Sequence, residues 1–184
     1  MKRVVDVILS LLAAVAFSPL LLITVLAIAA ESGFPVFFSQ TRLGLGGREF
    51  GLLKFRSMVK NAAELGPYYT VADDPRITSV GRFIRKTSID ELPQLWNVLM
   101  GDMSLVGPRP DVPVQRALYS DADWDLRCSV RPGITGLAQV VLRSQGSFAD
   151  RLALDLRYTR ESSISFDLKI LALTVKRLNG HGAN

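Results

Sequence analysis

From Val4 to Ala30 the chain is almost wholly apolar, broken only by Asp6, Ser10, Ser18, Pro19 and Thr24. This run accounts for most of the excess hydropathy of a 184-residue chain that is 48% hydrophobic with mean hydropathy +0.24. Three readings fit such a segment. Lys2-Arg3 and Ala27-Ile28-Ala29 resemble the basic start and cleavage site of a secretory signal, but the apolar run far exceeds the roughly 7–15 residues of that class. A single spanning helix is the second reading, because about 20 apolar residues cross a bilayer. The third is a re-entrant hairpin that enters and leaves by one face.

Pro19 bears on the choice. Inside a helix, proline removes one hydrogen bond and clashes with the preceding turn, so a bend is expected at Ser18-Pro19. The arms Val4–Phe17 and Pro19–Ala30 would each be roughly 18–21 Å long at about 1.5 Å per residue, too short to span alone. Lys2 and Arg3 precede the segment, and Arg42, Arg48, Lys54 and Arg56 follow it, so the positive-inside tendency puts both flanks in the cytoplasm. A kinked spanning helix, which prolines in membranes permit, stands beside the hairpin as an equal alternative.

The remainder has length for one domain with a core. A single cysteine, Cys128, excludes an internal disulfide and cysteine-rich metal sites. The single histidine, His181, lies in a Gly/Asn tail, so any metal should be a hard cation on carboxylates. A net charge of +5 and a pI near 9.7 point to an anionic partner. Basic and aromatic residues are not interleaved, which argues against nucleic acid.

Pro35–Phe38 and Phe50–Phe55 read as short strands around a turn at Gly44, Gly46 and Gly47, which does not match G-x-G-x-x-G because Glu49 takes the last glycine position. Residues 57–66 and Gly81–Lys86 read as helices, and Asp73-Asp74-Pro75 as a turn with solvated acids. Asp121, Asp123 and Asp125 open like a calcium loop, but Leu126 and Pro132 stand where Gly and Glu are needed. From Ser147 onward the pattern is helical, and the stretch from Leu168 to Leu178 could pack on the core or lie on anionic lipid.

The stretch TSIDELPQLWNVLMGDMSLVGPRP, residues 87–110, carries the chemistry. Asp90 as N-cap, Glu91 at N1 and Pro93 at N3 describe an ordinary helix start, with Ser88 and Glu91 as a capping box. The same acids lie between Arg82, Arg85 and Lys86 on one side and Arg109 on the other. An ionised Asp beside Mg²⁺ and arginines can attack phosphorus, and a second acid can hold the metal. Residue chemistry alone reaches a membrane-associated, phosphate-handling, Mg²⁺-dependent protein.

The order of motifs resembles the small monotopic phosphoglycosyl transferases, the bacterial sugar transferases. The match runs through Lys54-Phe55-Arg56-Ser57-Met58, Asp74-Pro75-Arg76-Ile77-Thr78, Gly81, Arg85 and Asp90-Glu91-Leu92-Pro93-Gln94-Leu95. It continues through Gly101-Asp102-Met103-Ser104, Gly107-Pro108-Arg109-Pro110, Arg131-Pro132-Gly133-Ile134-Thr135-Gly136 and Ala138-Gln139. The resemblance implies a mainly helical α+β fold with a small β-hairpin and amphipathic interfacial helices. It implies a re-entrant membrane hairpin over residues 1–30, broken at Ser18-Pro19, and a membrane-associated catalytic domain over residues 31–184 on the cytoplasmic face of the bacterial inner membrane.

By the same resemblance, the chain would transfer a sugar-1-phosphate from a UDP-sugar to a polyprenol (undecaprenyl) phosphate. Asp90 would attack the sugar-bearing phosphorus and release UMP, and Glu91 would assist with Mg²⁺ and protons. Arg85 and Arg109 match phosphate and nucleotide positions, and Lys54, Arg131, Gln139 and Arg143 match further substrate positions. The family's Val-Asn-Gly-Arg is here Val140-Val141-Leu142-Arg143, so sugar specificity is not carried over. The chain lacks the added membrane helices and domain of large members, which implies the minimal catalytic form. Two rivals remain: a non-catalytic membrane-surface module binding anionic lipid or nucleotide-sugar, and a glycosyl transferase releasing UDP. Nothing in the pattern specifies an oligomeric state, a sugar or a pathway.

Overall fold

A computed structural model describes residues 1–67, 70–71, 73–142 and 146–179. Two helices come first, α1 (Lys2–Ala16) and α2 (Ser18–Ser32), bent by 61° where they meet at Phe17. The break is local chemistry. Pro19 occupies the first turn of α2, where its missing N–H costs nothing, and the Ser18 hydroxyl donates to Val15 O at 2.8 Å. Among the described residues no single helix is long and apolar enough to cross a membrane, and this bent pair passes that test only together.

Helix α1 is inside-out. Its i, i+4 stripe of Asp6 and Ser10 is buried, while Val4, Ile8, Leu12 and Val15 are exposed. Asp6 bonds that stripe to the rest of the molecule. Asp6 accepts from the Ser104 hydroxyl at 2.9 Å and from Leu105 N at 3.2 Å, and Lys2 pairs with Asp167.

An antiparallel hairpin follows, β1 (Phe37–Leu43) with β2 (Glu49–Phe55), in register from Phe37 opposite Phe55 to Leu43 opposite Glu49. The expected first strand at 35–38 therefore runs later, because Pro35 has no N–H to donate to a ladder. Gly46 and Gly47 take φ of 63° and 73° in the connection, a left-handed conformation that suits glycine.

The expected helix over 57–66 shrinks to α3 (Ala62–Leu65), since Met58 bridges to Ile77 and draws that stretch into an extended path. Helix α4 (Ser79–Lys86) begins at the Thr78 cap, whose hydroxyl accepts from Gly81 N at 2.9 Å. A Cβ on Gly81 would meet Ser57 O at 2.0 Å, so glycine is what lets α4 lie against the chain leaving β2.

Past α4 the structure corrects the expected helix start. Ser88 adopts φ 58°, a left-handed conformation costing about 1–2 kcal/mol for a non-glycine residue. Ile89–Glu91 then form a 3-10 turn, with no side-chain cap from Ser88, and α5 (Gln94–Met100) starts only after Pro93. Asp90 is thus within the turn, not an N-cap, and the Ser88/Glu91 capping box is not formed. Asn97 braces α5 against the hairpin: its Oδ1 accepts from Leu53 N at 2.9 Å and its Nδ2 donates to Gly51 O at 2.8 Å. Arg3 of α1 donates to Val98 O and Leu99 O at the other end of α5.

The second half holds the two-stranded parallel pair β3 (Ser104–Val106) and β4 (Gly133–Thr135), with α6 (Asp121–Arg127) between them in the chain. The Asp121/Asp123/Asp125 triplet lies on α6, capped by Ser120. The C-terminal helical region is α7 (Leu137–Leu142), α8 (Phe148–Glu161) and α9 (Ile164–Asn179), separated at Ser162-Ser163. Helix α9 packs on the core through fully buried Ile170 and leaves Leu168, Leu173 and Val175 exposed. The result is a mainly helical α+β fold with three apolar clusters, centred on Val106/Tyr158/Ile170, Ile28/Phe55/Ile84 and Leu52/Val98/Met103. His181 and Arg143 lie outside the described residues.

Candidate active site

Lys54 near the end of β2, the 3-10 turn and the Pro108-Arg109-Pro110 loop converge on one carboxylate. Glu91 Oε1 accepts from Lys54 Nζ at 2.8 Å and from Arg109 Nη2 at 2.7 Å. Burial pushes the Glu91 carboxyl up, but the charges of Arg109 and Lys54 outweigh it and hold the group down at about 2. Glu91 is therefore a fixed anion that sets the position of two cations.

Asp90 is its opposite. It is 7% exposed, yet among the described residues its carboxylate makes no hydrogen bond or ion pair. Burial raises its pKa, with Lys54 opposing, Glu91 adding, and Arg85 and Arg109 opposing. Asp90 lines a cavity of about 500 Å³ together with Lys54, Arg85, Arg109 and Arg42.

Arg85 enters from α4, with Nε donating to Ser57 Oγ at 2.9 Å and both terminal nitrogens to Thr70 Oγ1 at 3.2 Å. It is held by neutral oxygens, so its charge is not cancelled. The helix that carries it is capped from α2: Glu31 accepts from Ser79 N at 2.8 Å and from Val80 N at 3.2 Å.

A second ionic cluster supports the Arg109 loop from behind. Arg127 is buried, pairs with Asp111 and with Asp155 (2.9 Å), and donates to Arg109 O at 2.6 Å. Tyr119 donates to the same Asp111 carboxylate at 2.9 Å. Burial is the main reason that the Asp155 carboxyl is pushed up to about 6, against the pull of Arg127.

Of the residues expected to handle substrate, Lys54, Arg85, Asp90 and Arg109 line the cavity, and Glu91 is bonded to two of them. Arg131 and Gln139 do not line it. Arg131 Nε donates to Gly101 O at 2.8 Å, and Gln139 Nε2 donates to Ile134 O at 3.1 Å. Arg143 lies outside the described residues.

One expectation is reversed. Asp74 is not a solvated turn former: it is 2% exposed and takes a two-pronged grip from Arg76, at 2.9 Å from Nε and 2.6 Å from Nη2. Sequence reasoning also missed Gln40, Arg42 and Gln115, which line the cavity. The signal available was strand alternation, since Phe38, Gln40 and Arg42 recur at period two.

Among the described residues no group of three His, Cys, Asp or Glu could hold a metal by itself. Asp90 and Glu91 still fit Mg²⁺, which commonly takes one or two carboxylates and fills its shell from water and substrate phosphates. The unpartnered Asp90 carboxylate is available as such a ligand.

The bacterial sugar transferase family model matches residues 1–180. The chain belongs to that family. Within it, the chain is 46% identical over 187 residues to the undecaprenyl-phosphate glucose phosphotransferase of Komagataeibacter xylinus, covering 96% of this chain and 35% of the relative. It is 47% identical over 186 residues to the UDP-glucose:undecaprenyl-phosphate glucose-1-phosphate transferase of Caulobacter vibrioides, covering 96% and 69%. It is 42% identical to the UDP-N-acetylgalactosamine-undecaprenyl-phosphate N-acetylgalactosaminephosphotransferase of Aeromonas hydrophila, covering 99% and 44%. The chain thus spans about a third of the first relative and under half of the third, so what it shares with these sugar transferases is a segment of each.

Proposed function

We propose that this chain transfers a sugar-1-phosphate from a UDP-sugar to undecaprenyl phosphate, with Asp90 as the nucleophile. The observation that carries this is the contrast between neighbouring acids. Glu91 is committed to Lys54 and Arg109, whereas Asp90 is buried, unpartnered and open to a cavity rimmed with cations. A desolvated carboxylate with no hydrogen bond to give up is a strong nucleophile.

An Asp90 carboxylate oxygen attacks the sugar-bearing phosphorus, forming an acyl phosphate as the bond to the bridging oxygen breaks and UMP leaves. An oxygen of undecaprenyl phosphate then attacks the same phosphorus, giving the undecaprenyl diphosphate sugar and returning Asp90 as carboxylate. Arg85 and Arg109 stabilise the phosphoryl oxygens as charge builds on them. Lys54, anchored on Glu91, keeps positive charge beside Asp90 and opposes the upward push of burial on its carboxyl. Mg²⁺ held by Asp90 and Glu91 supplies neutralisation of the diphosphate when bound.

The α1–α2 pair forms a hairpin entering the inner membrane from the cytoplasmic side and returning by the same face. Its exposed apolar face and buried polar stripe support this, because lipid inverts the usual outward preference. The exposed Leu168 and Leu173 of α9, with Lys169 and Lys176, suit contact with anionic lipid headgroups.

The test is nucleotide release from detergent-solubilised chain given Mg²⁺, undecaprenyl phosphate and UDP-sugars, starting with UDP-glucose, with Asp90→Asn alongside. UMP from the wild type but not the variant is the expected result. Release of UDP would make the chain a glycosyl transferase, and no release from any donor would favour a binding module.

A further inference from the structure

Arg42 makes no ion pair among the described residues. Its Nη1 donates to Pro110 O at 3.0 Å and its Nη2 to Gln40 Oε1 at 2.7 Å, both neutral acceptors. Its Nε is buried and has no partner among the described residues. The nearby anions are already taken: Glu91 Oε1 by Lys54 and Arg109, and Asp111 by Arg127 and Tyr119. Burial and the neighbouring Arg109 charge both disfavour the charged guanidinium, against the pull of Asp111 and Glu91.

A half-buried guanidinium with no ion pair costs free energy, and a second guanidinium beside it adds to that cost. An arrangement that keeps both is relieved when an anion with several oxygens enters. Geometry supplies the place. Phe38, Gln40 and Arg42 project from one face of β1, with Lys54 directly opposite Phe38 on β2, and all line the cavity that contains Asp90. Gln115 lines it as well: its Oε1 accepts from Val112 N at 3.0 Å, and its amide NH₂ has no acceptor among the described residues.

We infer that Arg42, oriented by Gln40 and paired with Arg109, is a phosphate-binding residue of this cavity, a role distinct from that of the Arg85 side. Arg85 acts on the Asp90 end, and Arg42 on the Glu91–Arg109 end, so a substrate carrying two phosphates is gripped at both. This rests on the phosphoryl-transfer reading of the site. The phosphate is either the nucleotide-side group of the donor or that of the polyprenyl acceptor.

The test measures binding without turnover, by calorimetry on the full chain in detergent micelles, with UDP as donor probe and a short-chain polyprenyl phosphate as acceptor probe. Arg42→Gln should weaken one of them by roughly tenfold or more, as loss of a charged hydrogen bond does. Gln40→Ala should weaken the same probe less, since it removes only orientation. A loss confined to UDP identifies the donor phosphate, and a loss confined to the lipid phosphate identifies the acceptor.

Unchanged affinity for both probes overturns the assignment. If the glutamine variant does not give a cooperative melt, Arg42→Lys decides, because it keeps the charge and removes the planar fork: affinity equal to wild type would overturn the role. A wild type that binds UDP but releases UMP from no donor would fail the transfer reading and leave Arg42 standing. A wild type that binds neither probe would overturn both.

Discussion

Two clusters of charge meet at the Arg109 loop, one buried around Arg127 and one half-open around Glu91, where Arg109 is half-exposed, and they are built to opposite ends. Around Arg127, Asp111, Asp155 and Tyr119 are all joined by ion pairs or hydrogen bonds. Around Glu91, Lys54 and Arg109 share one oxygen, while Asp90 and Arg42 make no ion pair among the described residues. The first cluster is closed and shapes the loop. The second is open to the cavity that Asp90 and Arg42 line, and it is the cluster on which the proposed phosphoryl transfer rests.

Substitutions can break this comparison. The largest effect is expected at Asp90: Asp90→Asn should lower UMP release by at least ~10³-fold while leaving the melting transition nearly unmoved, since no interaction of the carboxylate is lost. A large drop in melting temperature would instead make Asp90 a structural acid.

Arg127→Leu should do the reverse and destabilise the fold by about 3–5 kcal/mol at neutral pH, because it strands two buried acids. The loss, read by denaturant melts in detergent, should shrink below pH 6, where Asp155, pushed up to about 6, takes a proton and needs no counter-ion.

Glu91→Gln should reduce turnover roughly 10- to 100-fold, by releasing Lys54 and Arg109 from their common anchor. It should also carry a pH signature. The Glu91 carboxyl is held down to about 2 from an ordinary 4.5, so the folded protein keeps its charge where the unfolded chain binds a proton. Its stabilisation is complete above pH 4.5 and is lost as pH falls towards 2. The stability gap between wild type and Glu91→Gln should close over that window, and a gap that stays constant would refute the ion-pair anchor.

The smallest effect belongs to the closed cluster. Tyr119→Phe should cost about 1 kcal/mol, the worth of one hydrogen bond to Asp111, without changing turnover. A clear change in UMP release would show that the two clusters are not separate.

The features legible in the sequence were those with a local cause. Pro19 cannot continue an unbroken ladder, and the chain bends there. Glycines at 46 and 47 suit left-handed positions, and the hairpin forms around them. The helical pattern expected from Ser147 onward does start there, because the Ser147 side chain caps α8 by reaching only three residues ahead. The grouping of Asp90-Glu91 with Arg85 and Arg109 was legible from their closeness in the chain, whereas Lys54 joined them only through motif resemblance, because Lys54 and Glu91 are far apart in the chain.

What the sequence by itself determined is where the backbone must bend, turn or cap, and which residues have the chemistry to meet phosphate. Those properties reside in single residues and their near neighbours. The tertiary structure alone decided that Asp74 is buried against Arg76, that Ser88 turns left-handed and delays α5, and that Arg42 lines the cavity that contains Asp90. It also divided the adjacent acids into one anchored by two cations and one with no ion pair among the described residues. The physical reason is that burial and charge pairing depend on groups brought from distant elements, β2 for Lys54 and the proline loop for Arg109, and no local rule specifies which of two neighbouring carboxylates those cations will reach.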